Sequence, residues 1–310
     1  MQYPTFEKCE FTEEDFISAI ERELQKYFFS ENLVISRISQ SDEKSLGYDG
    51  VIDHIVPIYI QFKRSNFYRD TYQGQLAEDR LSILNNNQNS FFAFNLHKDS
   101  KTKEHLQHNL LFKLRDNNFH SCYVAPLFFK KTQLHKLKTS KPHKYRFYPW
   151  YLERLTLRDR NVLTEYKVRL FKDSISIVPH KEVKDSSSHT YTFNKDKEVC
   201  FHSQPEFIEG KAKSLNDFIV EILSNLRNIA ELELNVKQII DRLIGILDVQ
   251  SNLDTFNSYA FYYTDNQYSN SEEKDSLFNS LPYYFKLRVI EDYLDKEFGI
   301  SQLILHIRKS

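Results

Sequence analysis

The sequence predicts a mixed α/β fold, with an α/β core over residues 1–130 followed by a mostly helical region that carries some short strands. Three observations carry this. Apolar residues recur at helical spacing in residues 12–28, 70–85 and 103–116, and apolar runs of strand length alternate with those stretches. Beyond residue 165 the pattern changes to short strands between polar turns, and beyond residue 214 to long amphipathic stripes. At 310 residues, with 40% hydrophobic content, 25 Phe and 19 Tyr, the chain is long enough for two units and can bury a sizeable core.

The first helix is expected over 12–28. Thr12 is its N-cap, Glu13, Glu14 and Asp15 suit the positive end of the helix dipole, and Phe16, Ile20, Leu24 and Tyr27 form its apolar stripe. Strands follow at Leu33–Ile38, at the run around Asp49 and at Ile58–Arg64, with a turn near Asp53, His54 and Pro57 between the last two. A second helix over 70–85 has Asp70 as its cap. A buried strand at Ser90–Leu96, a third helix over 103–116 and a strand at Ser121–Phe129 come next, and Pro126 marks that last strand as an edge or a bulge. The order is helix, three strands, helix, strand, helix, strand. Residues 131–152 are a basic, aromatic segment, and 153–310 are expected as a separate α+β unit. In that unit Ser214 and Asp217 open a helix as a variant capping box, Ile239, Ile240, Leu243, Ile244 and Leu247 make a second stripe, and a helix over 283–298 ends at Gly299 before a strand at 300–307.

The 42 basic and 43 acidic residues nearly cancel, so any electrostatic attraction must be local. Cys9, Cys122 and Cys200 form no CxxC pair, which argues against a disulfide framework or a zinc knuckle and fits a reducing cytosol. The first residues show no signal-peptide pattern, and no apolar run reaches the length of a membrane span. The expectation is a cytoplasmic protein without a membrane partner.

The stretch that points to chemistry is Leu46-Gly-Tyr-Asp-Gly-Val-Ile52, followed by Ile58-Tyr-Ile-Gln-Phe-Lys-Arg64. On a strand, residues two apart share a face, so Gln61 and Lys63 project together while Ile60 and Phe62 point into a core. A carboxylate, an amide oxygen and an ammonium then converge, and that set suits divalent-metal hydrolysis of a phosphodiester. Asp49 would be the charged ligand, Gln61 and the Phe62 backbone carbonyl would add neutral oxygens, and Lys63 would orient water and stabilise the developing charge. Asp53 has the same strand parity as Asp49 and is the alternative carboxylate. Asp49-Gly50 also reads as a simple turn, and Gln61 with Lys63 as the solvated face of an edge strand.

These residues resemble the PD-(D/E)XK nuclease superfamily, with Asp49 in the place of its aspartate and Gln61-Phe62-Lys63 matching its (D/E)-x-K in the D…QxK form. The resemblance covers about residues 10–130 and implies a restriction-endonuclease-like core. It further implies a Mg²⁺-dependent deoxyribonuclease, with Mn²⁺ as substitute, acting on double-stranded DNA in restriction or anti-phage defence, with junction or repair cleavage second. Many members add a glutamate from the first helix. Glu21 matches best, with Glu23 as its rival, and either is also an ordinary helix former. A homodimer, or an ATPase or sensor partner, would accompany such a role. The alternative is a decayed nuclease fold that binds DNA or scaffolds a partner without cutting.

Lys130, Lys131, Lys136, Lys138, Lys141, Lys144 and Arg146, with Tyr145, Phe147, Tyr148, Trp150 and Tyr151 interleaved, suit phosphate contacts and base stacking, or form a solvated linker. His105 and His108 lie three apart on a helix without an obvious third ligand, and His202 is expected as a hydrogen-bonded structural residue. No GxSxG, Walker loop or GxGxxG is present, so neither a Ser/His/Asp hydrolase nor nucleotide-driven chemistry is expected.

Overall fold

A computed structural model describes residues 5–27, 33–36, 54–84, 90–102, 104–138, 169–203, 206–208, 210, 212–225, 236–263 and 277–307. The strands are β1 (Phe6–Glu7), β2 (Leu33–Ser36), β3 (His54–Phe62), β4 (Asn66–Tyr68), β5 (Phe91–Asn95), β6 (His120–Pro126), β7 (Ser174–Ile177), β8 (Thr190–Phe193), β9 (Val199–His202), β10 (Glu206–Phe207), β11 (Ala212–Ser214) and β12 (Ser301–Ile307). The helices are α1 (Glu13–Tyr27), α2 (Gln75–Leu84), α3 (Leu106–Asp116), α4 (Lys131–Lys138), α5 (Arg169–Lys172), α6 (Leu215–Asn225), α7 (Val236–Ile246), α8 (Leu253–Ala260), α9 (Leu277–Ser280) and α10 (Tyr283–Phe298). The fold is mixed α/β.

Two six-stranded sheets organise it. One is antiparallel throughout, in the order β1-β4-β5-β8-β9-β10. The other runs β11-β7-β6-β3-β12-β2, and its single parallel pair is β3 with β6. Both sheets draw strands from either side of residue 130, so the segments expected as separate domains share their hydrogen-bonded layers.

The two faces of β3 enter different cores. Ile58, Ile60 and Phe62 join Phe16, Ile20 and Leu24 of α1 and Leu215, Phe218 and Ile219 of α6. Ile55 and Tyr59 face the other way, toward α3, the helices after residue 236 and the aromatic side chains of β5, β8 and β9. A strand buried on both faces needs continuous apolar character, and Ile-Val-Pro-Ile-Tyr-Ile supplies it.

Pro57, expected at a turn, lies inside β3 opposite Ile304. Lys63 donates its N–H to Val124 on β6, so odd-numbered residues of β3 direct their backbone groups that way. The β3–β6 ladder begins only at Ile58, and the missing N–H of Pro57 therefore falls where no partner strand has yet started. Pro126 did not mark an edge either: β6 is flanked by β3 and β7, and the proline is its last residue.

Two of the expected helix starts form at their caps, whereas α2 begins at Gln75 and leaves Asp70, its expected cap, in the preceding turn. Thr12 Oγ1 accepts the Asp15 N–H at 3.1 Å while Asp15 Oδ2 accepts the Thr12 N–H at 3.3 Å, a reciprocal capping box with Asp in place of Glu. Ser214 Oγ accepts the Asp217 N–H at 3.1 Å in the same way. At the other end of the chain, α10 ends in Gly299, whose left-handed φ of 61° lets its N–H reach Asp295 O at 2.9 Å. No helix among the described residues is long and apolar enough to cross a membrane.

Candidate metal and catalytic site

Gln61 and Lys63 share one face at the carboxyl end of β3, as the two-residue period requires. The strand ladder to β6 continues through the Lys63 N–H, which fixes the backbone at this point. Gln61 is 1% exposed and Lys63 is 9% exposed. The face on which they project is therefore covered, which the reading as an edge strand's solvated face did not foresee.

Two elements cover it. Gln107 on α3 accepts the Lys63 ammonium through Oε1 at 3.2 Å, and its own amide donates to the Phe298 carbonyl at the end of α10. Gln61 Nε2 reaches the same carbonyl at 3.5 Å. The Gln61 amide oxygen, in contrast, is buried and has no hydrogen-bond partner among the described residues. A buried carbonyl oxygen left unpaired costs on the order of 1–3 kcal/mol. It is also a free donor atom of the kind that hard cations take. Burial pulls the Lys63 pKa below its ordinary 10.5, and the Glu13 carboxylate in the first turn of α1 acts in the opposite sense.

The other expected site residues divide. Phe62 directs its backbone to the β12 side of the strand, two residues past the last ladder pair, Ile60 with Ser301. Glu21 is half-buried on α1, and α1 packs on the opposite face of β3 from Gln61 and Lys63, about 12 Å along the helix from Glu13. The structure therefore does not bring Glu21 to the pair, and Glu23 is buried on the same helix. Asp49 and Asp53 lie outside the described residues. β3 itself is paired by β12 over His54–Ile60 and by β6 over Ile58–Phe62. Among the described residues no group of three or more His, Cys, Asp and Glu side chains is placed to hold a metal.

Of the basic tract, Lys130, Lys131 and Lys136 are exposed at and in α4. Lys130 lies 5.5 Å over the Phe129 ring, and the Lys131 N–H donates to Glu10 Oε2 at 3.0 Å. Lys138 ends α4, with its side chain outside the described residues, as are Lys141, Lys144 and Arg146. Because β3 and β6 are parallel, Lys63 and the chain leading into α4 leave the sheet at the same end.

The histidines that sequence reasoning left out of a metal site are structural. His105 bonds the His97 and Ser187 carbonyls at 3.0 and 2.8 Å, and His202 bonds Thr192 Oγ1 at 2.7 Å and Asp79 Oδ2 at 3.1 Å. His108 is buried between the Tyr123 hydroxyl at 2.8 Å and the Lys181 carbonyl at 2.9 Å, and burial pushes its pKa from 6.5 to about 3. A histidine kept neutral in the fold but protonated in the unfolded chain penalises folding as pH falls below about 6.5. Stability is then whole above that pH and drops by several kcal/mol toward pH 3, at about 1.4 kcal/mol per pKa unit. Urea midpoints at pH 7.5 and 4.5 are expected to differ more in the native protein than in His108→Gln, and equal differences would refute this origin.

Gln107 is the site residue that sequence reasoning missed. Its only signal was a long amide beside the apolar stripe of α3. Its fit depends on Gly299: a Cβ there would lie 3.2 Å from Gln107 Nε2, in a backbone conformation that L side chains rarely adopt. Gly299→Ala is expected to cost about 1 kcal/mol for the left-handed φ alone, and more if Gln107 is displaced. A thermal melt unchanged within error would count against that assignment.

The chain matches no protein-family model, no curated protein and no solved structure.

Proposed function

We propose that the chain is a metal-dependent endonuclease of the restriction-like fold, acting on double-stranded DNA. The observation that carries this reading is the Gln61 amide oxygen, without a partner among the described residues, beside Lys63 at the end of β3 where that strand runs parallel to β6. Ligands of open α/β sheets bind beyond the carboxyl ends of parallel strands. After the short β1, the order helix, strands, helix, strand, helix, strand over the first 130 residues supports the same reading in sequence order, with β4 and β5 drawn into the antiparallel sheet. Asp49, Gln61 and the Phe62 carbonyl would hold Mg²⁺, or Mn²⁺ in its place, which when bound supplies charge neutralisation and an activated water. Lys63 places a cation next to that position, and Lys130, Lys131 and Lys136 offer phosphate contacts at the same end of the sheet. Restriction or anti-phage defence is the role the resemblance favours, with a homodimer or an ATPase or sensor partner.

A second reading has its own observation. Gln61 and Lys63 are nearly inaccessible, and Gln107 already occupies the Lys63 ammonium, which favours a nuclease-like fold that binds DNA without cutting. Plasmid and linear DNA incubated with the full chain in Mg²⁺, Mn²⁺ or EDTA separate the two, with Asp49→Asn as the ligand variant. Metal-dependent cleavage lost in Asp49→Asn supports the nuclease; retained DNA binding with no cleavage in any metal supports the second reading and overturns the first.

A further inference from the structure

A second constellation lies away from the Gln61–Lys63 pair and does not depend on it. β8 pairs with β9 so that Thr190 faces His202. One residue beyond that pair, His189 before β8 meets Ser203 after β9, and Ser203 Oγ sits 2.5 Å from His189 Nδ1. Four residues before His189 the chain turns back, because Asp185 Oδ1 accepts the Ser187 N–H at 2.8 Å. The same oxygen lies 3.0 Å from His189 Nε2, and Ser187 Oγ is 3.2 Å from that nitrogen. A carboxylate, an imidazole and a hydroxyl therefore form one line, each within hydrogen-bond reach of the next.

The imidazole is held in place. His189 is 1% exposed, the Phe201 ring stacks on it at 4.9 Å and 14°, and the His105 ring meets it edge-on at 4.9 Å. Ser203, in contrast, is exposed, and its φ of 85° is one that a non-glycine residue rarely adopts. An exposed serine forced into such a turn just after a strand is the setting in which nucleophilic serines occur. A triad is recognised by geometry and roles rather than by motif, which is why the lack of GxSxG did not exclude it. Burial holds His189 below its ordinary pKa of 6.5 against the pull of Asp185, so the ring is neutral and able to accept a proton at neutral pH.

We propose that Ser203, His189 and Asp185 form a nucleophilic centre that hydrolyses carboxylic esters. Ser203 Oγ attacks the ester carbonyl carbon and gives its proton to His189 Nδ1. The bond to the alcohol breaks, the alcohol leaves with that proton, and the acyl group stays on Oγ. Water then attacks the acyl carbon, returns a proton through the same nitrogen, and releases the carboxylic acid with the hydroxyl restored. Asp185 keeps Nε2 as the N–H side of the ring and balances the imidazolium that forms at each step.

The full chain treated with a fluorophosphonate tests this, because Oγ–P bond formation with loss of fluoride leaves a mass adduct. One adduct per chain on the peptide bearing Ser203 is expected. It should be absent in Ser203→Ala, and formed at least about a hundredfold more slowly in His189→Gln and in Asp185→Asn. The half-buried Asp185 and exposed Ser203 positions keep the test sound if the buried His189 variant fails to fold, and p-nitrophenyl acetate turnover gives a second readout. No adduct on the folded native protein, labelling at full rate in Asp185→Asn, or ester turnover that survives Ser203→Ala would each show that the cluster only ties the loop to the strand end.

Discussion

Lys63→Ala is expected to lower metal-dependent DNA cleavage by about 10²–10³-fold while leaving DNA binding nearly intact, the loss that follows when one preorganised charge is taken from a developing oxyanion. The ammonium lies in a covered site, where a charge acts through a lower dielectric than in water. The same burial makes the residue costly to hold, so the fold should tolerate its removal. What is lost is one charge-assisted hydrogen bond to Gln107, worth about 1.5–3 kcal/mol, against the relief of desolvating a cation. Parallel nicking assays and DNA-binding isotherms on the two proteins check both halves. Cleavage at the native rate in the variant would remove Lys63 from the mechanism; a matching fall in binding would make it a substrate contact instead.

The largest expected stability effect is at Phe16. Its ring is fully buried, meets the Phe62 ring edge-on at 5.9 Å, and also touches Phe11 and Phe128 at 6.2 and 6.3 Å between centroids. Phe16→Ala is expected to cost about 3–5 kcal/mol, through lost apolar burial and the cavity left between α1 and the sheet. Denaturant unfolding of the native protein and the variant measures it. A cost below about 1 kcal/mol would mean that α1 can settle into the space and that its contact with β3 contributes little.

How much of this was legible depended on how far apart in sequence the causes lie. The Thr12 and Ser214 caps, the Gly299 stop and the shared face of Gln61 and Lys63 follow from residues at most three apart, and each appears as read. The cover over the pair does not, because the Phe298 carbonyl that meets Gln61 lies 237 residues away. Pro57 misled for a related reason. Whether a proline breaks a strand depends on which side its absent N–H faces and where the neighbouring ladder begins, and β6 is contributed by residues 120–126. The Asp185–His189–Ser203 line was hidden in the same way, since only the β8–β9 register brings positions fourteen apart face to face.

One consequence follows from the position of β12, which lies between β2 and β3 and pairs with both. Two strands made early relative to β12 therefore wait for a filler that the ribosome delivers more than two hundred residues later. Until Ser301–Ile307 emerge, β3 keeps one flank of unpaired backbone groups, beside the half of the sheet that holds Gln61 and Lys63. Assembly of this sheet is thus a late event with a high loop-closure cost, and a nascent or truncated chain stopping before residue 301 is left with an open edge suited to pairing with another chain.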